Sequence, residues 1–241
     1  MKLIERFSSL PTALATDEAM MKSIDGLASD SGGRLWFWEM SAPSVIMGRS
    51  SRHRDEINLA RVQSLGLMLG RRSSGGATVV GGPGCLMYSV GLSLKHFPSL
   101  RQIDKAHDFV MDRMLETLKK QIPSVMRKGI CDLTLDNKKF SGNALKYTRE
   151  SLLYHGTILY DFDLDLLASV LDFAPRQPDY RGGRDHGGFV TNAKIDVARL
   201  PKELENSFEL PVVNPSQIVD TTVVQELVEK RYSQDAWVHR H

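Results

Sequence analysis

Between Leu67 and Val90 the chain alternates short β-type runs with glycine turns. Leu67-Met68-Leu69 is followed by Arg71-Arg72-Ser73-Ser74-Gly75-Gly76-Ala77, Thr78-Val79-Val80 by Gly81-Gly82-Pro83-Gly84, and Leu86-Met87-Tyr88-Ser89-Val90 closes the series. That punctuation commits the centre of the molecule to a sheet with tight connections. The first turn also constrains chemistry. Glycine lacks a Cβ, so the backbone can close on a ligand and present its N–H groups, and adjacent arginines add charge and forked donors. A hairpin turn leading into a buried strand is the simpler reading. Two arginines directly before the turn and a second glycine cluster directly after the strand favour an anion cradle.

Around this centre the periodicity changes. Pro11-Thr12 opens a helix through Met20, Met21 and Ile24, and a loop follows at Ser29-Asp30-Ser31-Gly32-Gly33. Leu35-Trp36-Phe37-Trp38 and Ser44-Val45-Ile46-Met47 are strands split by Ala42-Pro43, the second ending at the turn Gly48-Arg49-Ser50. Asp55 to Leu65 suits a helix stopped by Gly66. Ile103, Ala106, Val110, Met114 and Leu118 form one apolar stripe on a helix over 102–120. Asp132 to Gly142 alternates about an Asp136-Asn137 turn, a hairpin signature, and Ser141 to Leu145 bends away from it. Tyr154 to Tyr160 is a further strand, Asp163 caps a helix to Leu171, Gln177 to Thr191 reads as a mobile loop carrying Arg181, Arg184 and His186, and a last helix covers Thr222 to Tyr232. Strands and helices so interleaved predict an α/β (α+β) architecture, a mixed β-sheet flanked by helices, and no linker or repeat divides residues 1–241.

Charge excludes some functions. With 31 basic and 29 acidic residues the net charge is +2, which supplies no general attraction to nucleic acid or membrane, so any anion preference is local. No run of about 18 apolar residues and no signal-like start is present, and the expectation is a cytoplasmic protein. Cys85 and Cys131 fit no disulfide framework or zinc spacing; each is a buried small hydrophobe or a reactive thiol.

Four motifs in order carry a family resemblance: Trp38 to Gly48-Arg49-Ser50; Arg71-Arg72-x-Ser74-Gly75-Gly76-Ala77 with its following glycine turn; Lys138-Lys139-Phe140-Ser141-Gly142-Asn143-Ala144; and His155-Gly156-Thr157-Ile158-Leu159. Over roughly residues 15–237 the chain resembles the lipoate-protein ligase A family, within the wider biotin and lipoate ligase fold. The resemblance implies an acyl-adenylate made from ATP, with Mg²⁺, and lipoate or octanoate, and an acyl group passed to a lysine of a lipoyl carrier domain, such as a 2-oxoacid dehydrogenase E2 or glycine-cleavage H-type protein. Carried over by motif, Lys139 is the catalytic lysine and Arg72 the turn arginine. Ser74, Gly75, Gly76, Ala77, Thr78, Val79, Val80, Gly84, Cys85, Ser141, Gly142, Ala144, His155 and Gly156 complete the ligand site, with Asp132 as a candidate Mg²⁺ ligand or hairpin cap.

Chemistry supports those types of residue. Bringing a carboxylate to the α-phosphate of ATP sets two anions together, and fixed cations such as Arg72 and Lys139 offset their repulsion. Lys139 can also stabilise the departing phosphate in the transfer step, and apolar Val79, Val80, Leu86 and Leu159 can line a dry acyl tunnel. The chain departs from the ligase pattern at Ala77, where a third glycine is common, at Gly81-Gly82, where a histidine-aspartate pair is, and at Cys85 and Cys131, where asparagines are. A cysteine-dependent octanoyltransferase therefore stands as an alternative, as does a catalytically silent lipoate- or adenylate-binding module. Many such ligases carry a smaller C-terminal domain; none is expected here, which leaves a separate accessory subunit, transfer alone, or a reaction without ATP.

Overall fold

The computed structural model describes residues 3–28, 31–173 and 175–241; Ser29 and Asp30 of the expected glycine loop lie outside them. In chain order the elements are β1 (Ile4–Phe7), α1 (Leu10–Asp25), β2 (Gly33–Met40), β3 (Ser44–Met47), α2 (His53–Glu56), α3 (Leu59–Ser64), β4 (Met68–Arg71), β5 (Val79–Gly81) and β6 (Cys85–Ser93). There follow α4 (Ile103–Lys119), β7 (Met126–Lys128), β8 (Asp132–Leu135), β9 (Lys138–Ser141), β10 (Asn143–Tyr147), β11 (Ser151–Leu159), α5 (Leu164–Val170), α6 (His186–Phe189), α7 (Leu200–Phe208), α8 (Thr221–Leu227) and α9 (Asp235–Val238).

Three sheets result. The largest has the order β1-β2-β6-β11-β10, with β1 parallel to β2 and the other pairs antiparallel. A second runs β4-β3-β5, with β3 parallel to β4 and antiparallel to β5, and a third runs β7-β8-β9. This is the mixed α+β arrangement that the interleaved strands and helices predict. β6 is buried along its whole length, as expected of a strand covered on both faces. Leu86, Tyr88, Val90 and Leu92 pack into the core under α4 and α7, whereas Cys85 and Met87 enter the core shared with α1.

Local chemistry sets the boundaries. The Ser9 side chain accepts the Thr12 N–H, and Pro11 occupies the first turn of α1. Asp163 caps α5 in the same way through the Leu166 N–H. The Asp136-Asn137 turn has φ of 46° and 63°, the conformation that closes a two-residue hairpin. Some expectations fail for identifiable reasons. The helix expected over Asp55 to Leu65 splits into α2 and α3, because Ile57 is extended and the Asn58 side chain caps a new start. Ile103 is 54% exposed at the beginning of α4, beyond the reach of the core that buries the rest of the stripe. The bend expected after Ser141 is confined to Gly142, since β10 continues directly and pairs with β11. Gln177 to Thr191 holds a 3₁₀ turn at Asp179–Arg181 and helix α6, fastened by Arg184, whose guanidinium donates to the carbonyls of Tyr180, Arg181 and Asn137.

Candidate active site

Two cavities meet at Lys139. The first, about 120 Å³, lies between α1, β6, β10 and β11 and is walled by Trp38, Ile46, Met87 and Tyr88. The second, about 140 Å³, lies under the Gln177–Thr191 segment and is walled by Leu159, Leu167, Phe189, Arg176 and Arg181. Ala77, Thr78, Val79, Lys139, Gly142 and Thr157 border both. Their similar size and shared wall suit a ligand of two unlike halves joined beside the lysine.

Lys139 is placed by its neighbours. Its Nζ lies 2.7 Å from Asp132 Oδ1, and Tyr180 donates to the other carboxylate oxygen at 2.8 Å. Burial and the Asp132 charge push the Tyr180 hydroxyl well above its ordinary range, so it stays a donor. The Lys139 carbonyl accepts the Thr191 N–H at 2.9 Å, tying the Gln177–Thr191 segment to β9. A Cβ at Gly142 would stand 2.7 Å from the Lys139 Cε and 2.8 Å from its Nζ. Gly142→Ala is therefore expected to displace the ammonium and lower kcat/KM by about tenfold to a hundredfold with little change in melting temperature, checked by steady-state kinetics beside thermal unfolding.

A hydrogen-bonded array backs the first cavity. Asp17 of α1 accepts from His155 Nδ1 at 2.8 Å, from the Trp36 indole at 2.8 Å and from Ser89 at 2.7 Å. His155 Nε2 lies 2.6 Å from the Ser74 hydroxyl, and Ser74 Oγ accepts from Arg72 Nε at 3.1 Å. The connectivity is that of a serine-histidine-aspartate relay. Ser74 is nonetheless 2% exposed and lines neither cavity, so the array holds the turn and His155 in place instead of presenting a nucleophile.

The expected anion cradle needs correcting. Arg71 is fully buried, and its guanidinium donates to the carbonyls of Gly48, Arg49, Ser51, Trp237 and Val238; it clasps the end of the chain and faces no ligand. Arg72 borders the first cavity, yet it donates to the carbonyls of Ile46, Gly75 and Ala77. Burial pushes its guanidinium down to about 10, leaving it charged at neutral pH. Gly76 has φ +87°, and a Cβ there would meet Arg72 Nη2 at 2.8 Å, so the turn and the arginine interlock. The Thr78 N–H does not point at open space either: Glu56 Oε2 accepts it at 2.7 Å, together with the Thr78 and Ser51 hydroxyls.

Of the other expected site residues, Gly76, Ala77, Thr78, Val79, Gly142, Ala144, His155 and Gly156 line the first cavity, and Val80 and Ser141 line the second. Gly75 lines neither. Gly84 and Cys85 line neither cavity: the Gly84 carbonyl accepts from the Tyr160 and Asp161 N–H groups in a turn, and Cys85 is a fully buried core residue. Leu86 faces the α4 core, not an acyl tunnel. Cys131 touches the Asn143 carbonyl and lines neither cavity, and burial, with the Asp132 charge, pushes its thiol up. Both Asp132 oxygens are engaged, by Lys139 and Tyr180, and no group of three or more His, Cys, Asp or Glu residues able to hold a metal occurs among the described residues.

Asp17, Glu18 and Glu56 are buried carboxylates around the site that the sequence does not single out. Asp17 falls on the buried stripe of α1 with Ala13, Met20 and Ile24, and a carboxylate on such a stripe is a signal in itself. Glu18 accepts two 2.7 Å hydrogen bonds from Arg231 and one from Tyr232, joining α1 to the C-terminal helices. Both carboxyls are desolvated, but His155 for Asp17, and Tyr232 with Lys146 and Arg231 for Glu18, hold them below the usual carboxylate range. A depressed folded pKa means the unfolded state takes up protons first as pH falls. Stability is thus expected to be full above about pH 5 and to drop progressively below about pH 4. Denaturant titrations of the wild type and of Glu18→Gln across pH 3–7 check this, the variant being expected to show a shallower acid loss.

Comparison with known proteins places this geometry. The model of the lipoyl protein ligase A/B catalytic domain matches residues 9–197. The protein named probable lipoate-protein ligase A of Mycoplasma genitalium is 32% identical over 203 residues, 82% of this chain and 58% of that protein, so the chain spans little more than half of its length. Octanoyltransferase LipM of Brevibacillus brevis is 27% identical over 93% of this chain and 92% of its own. In fold, the chain superposes with a TM-score of 0.77 and 20% identity on a structure from a study of the bipartite lipoate protein ligase and E2 lipoyl domain of Thermoplasma acidophilum, covering 99% of this chain and 95% of that one. A matched family model over most of the chain, on the fold and cavities already described, makes this protein a member of the lipoyl protein ligase A/B catalytic-domain family.

Proposed function

We propose that the protein activates lipoate or octanoate with ATP and transfers the acyl group from the adenylate to a lysine of a lipoyl carrier domain. The observation that carries this is the pair of cavities joined at Lys139. The apolar wall of Trp38, Ile46 and Met87 suits an acyl chain and the apolar and cationic wall of the second cavity suits a nucleotide; on this reading the mixed anhydride lies between them. In activation the acid's carboxylate oxygen attacks the α-phosphorus and pyrophosphate leaves; Lys139 offsets the charge that accumulates on the phosphoryl oxygens. In transfer the carrier amine attacks the acyl carbon, the acyl–phosphate bond breaks and adenosine monophosphate departs with its negative charge held by the same ammonium. Magnesium is an expected companion of the nucleotide, which would supply further positive charge beside the phosphates. A lipoyl carrier domain is the acceptor on this reading, and an accessory subunit is a further expected partner.

Octanoyl transfer through a cysteine is the second reading, motivated by the likeness to LipM. Against it, both thiols are pushed up by burial, and neither lines a cavity. Cys131→Ala and Cys85→Ala are each expected to retain activity within about threefold, as befits residues outside the reacting groups. Exchange of labelled pyrophosphate into ATP tests adenylate formation: exchange that requires lipoate or octanoate supports it, and octanoyl transfer that is lost in Cys131→Ala would replace it with the thioester route.

A further inference from the structure

Arg181 is an oddly placed charge. It is 5% exposed and packed between aromatic rings, its Cζ lying 4.8 Å from the Phe173 centroid and 4.7 Å from that of Phe189. Its Nε donates to the Arg184 carbonyl at 2.8 Å, but Nη2 is buried without a hydrogen-bond partner. It forms no ion pair with a carboxylate among the described residues; Asp185 acts on it only through space, and Arg184 opposes its charge. A buried guanidinium left unpaired is unfavourable unless an anion completes it, and a forked donor best matches a carboxylate or phosphoryl group.

Arg181 also borders the second cavity, together with Lys139 and Arg176. Its segment is tied to the catalytic lysine on both sides, by Tyr180 on Asp132 and by the Thr191 N–H on the Lys139 carbonyl. His186, in the same wall, adds no competing charge at neutral pH, since burial and the neighbouring arginine push it down to about 4.

We propose that Arg181 is a phosphoryl-binding residue of the second cavity, its unpartnered guanidinium edge receiving the anionic phosphate of a bound adenine nucleotide. This rests on the nucleotide reading of that cavity and adds to it the residue that separates a nucleotide from a nucleoside. Arg72, whose guanidinium donates to protein carbonyls, is not that residue. The anion would complete the pairing of Arg181 and draw the Gln177–Thr191 segment down beside Lys139.

The test is calorimetric titration of the full chain with AMP and, separately, with adenosine, for the wild type, Arg181→Met and Arg181→Lys. The methionine keeps an apolar stem between the two rings, and the lysine keeps the charge without the fork. AMP affinity is expected to fall about tenfold to a hundredfold in Arg181→Met and less in Arg181→Lys, while adenosine affinity stays within about twofold in both. Equal losses for AMP and adenosine, or unchanged AMP binding, would overturn the assignment of Arg181. Failure of the wild type to bind either probe would instead overturn the nucleotide reading of the cavity. Should Arg181→Met not fold, an unaltered ratio of AMP to adenosine affinity in Arg181→Lys would overturn the proposal as well.

Discussion

On the proposed reaction, Lys139→Met is expected to lower kcat/KM for acyl transfer by about a hundredfold to a thousandfold, the usual cost of removing one preorganised charge from a transition state. The loss is expected mainly in kcat. Lys139 borders both cavities where they join, which on the proposed reaction is beside the reacting phosphoryl and acyl groups. Asp132 keeps its Tyr180 partner in the variant, so the fold should survive; circular dichroism and thermal unfolding separate lost catalysis from lost structure. A fall in KM affinity alone, with kcat unchanged, would place Lys139 at a binding task and not at the charge that develops during reaction.

Arg71→Met has the opposite signature. Five carbonyls, from Gly48, Arg49, Ser51, Trp237 and Val238, lose their donor at once, and they belong to segments far apart in the chain. Trp237 returns a hydrogen bond from its indole to the Arg71 carbonyl at 2.9 Å, so the C-terminal helix and β4 are fastened in both directions. Leaving such buried acceptors unpaired costs about 3–5 kcal/mol, which for a chain of this length is roughly 10 °C in melting temperature. Differential scanning calorimetry reads it. Below the new transition the activity is expected to remain near that of the wild type. Two adjacent arginines that look equivalent in the sequence thus separate into one that clasps the fold and one that shapes the turn.

The sequence made the architecture legible wherever periodicity and punctuation agreed. The helix opening at Pro11, the Asp136-Asn137 turn and the Asp163 cap are local signals, and α1, β8, β9 and α5 lie where those signals put them. Lys139, Gly142 and His155 were legible through their motifs, and the structure brings all three to the first cavity. What could not be read was the destination of each polar group. Nothing in Arg71-Arg72 tells that one guanidinium ends on carbonyls 166 and 167 residues away. The same holds for Glu56, which claims the Thr78 N–H that the glycine turn had suggested for a ligand. Asp17 was legible in principle as a carboxylate on an apolar helix stripe; its pairing with His155 across 138 residues was not. Cys85, carried over by motif as a ligand contact, is a fully buried core residue of β6.

Two donors offered to one acceptor decide whether the paired cavities hold an acyl-adenylate. Intact-mass analysis of an apo lipoyl carrier domain, incubated with the protein and either lipoate with ATP-Mg²⁺ or an octanoylated carrier without ATP, is that measurement. The expected result is an amide-linked acyl mass increase only in the arm containing ATP, undiminished in Cys131→Ala and slowed about a hundredfold to a thousandfold in Lys139→Met. Modification only from the acylated carrier, with ATP having no effect, would contradict it.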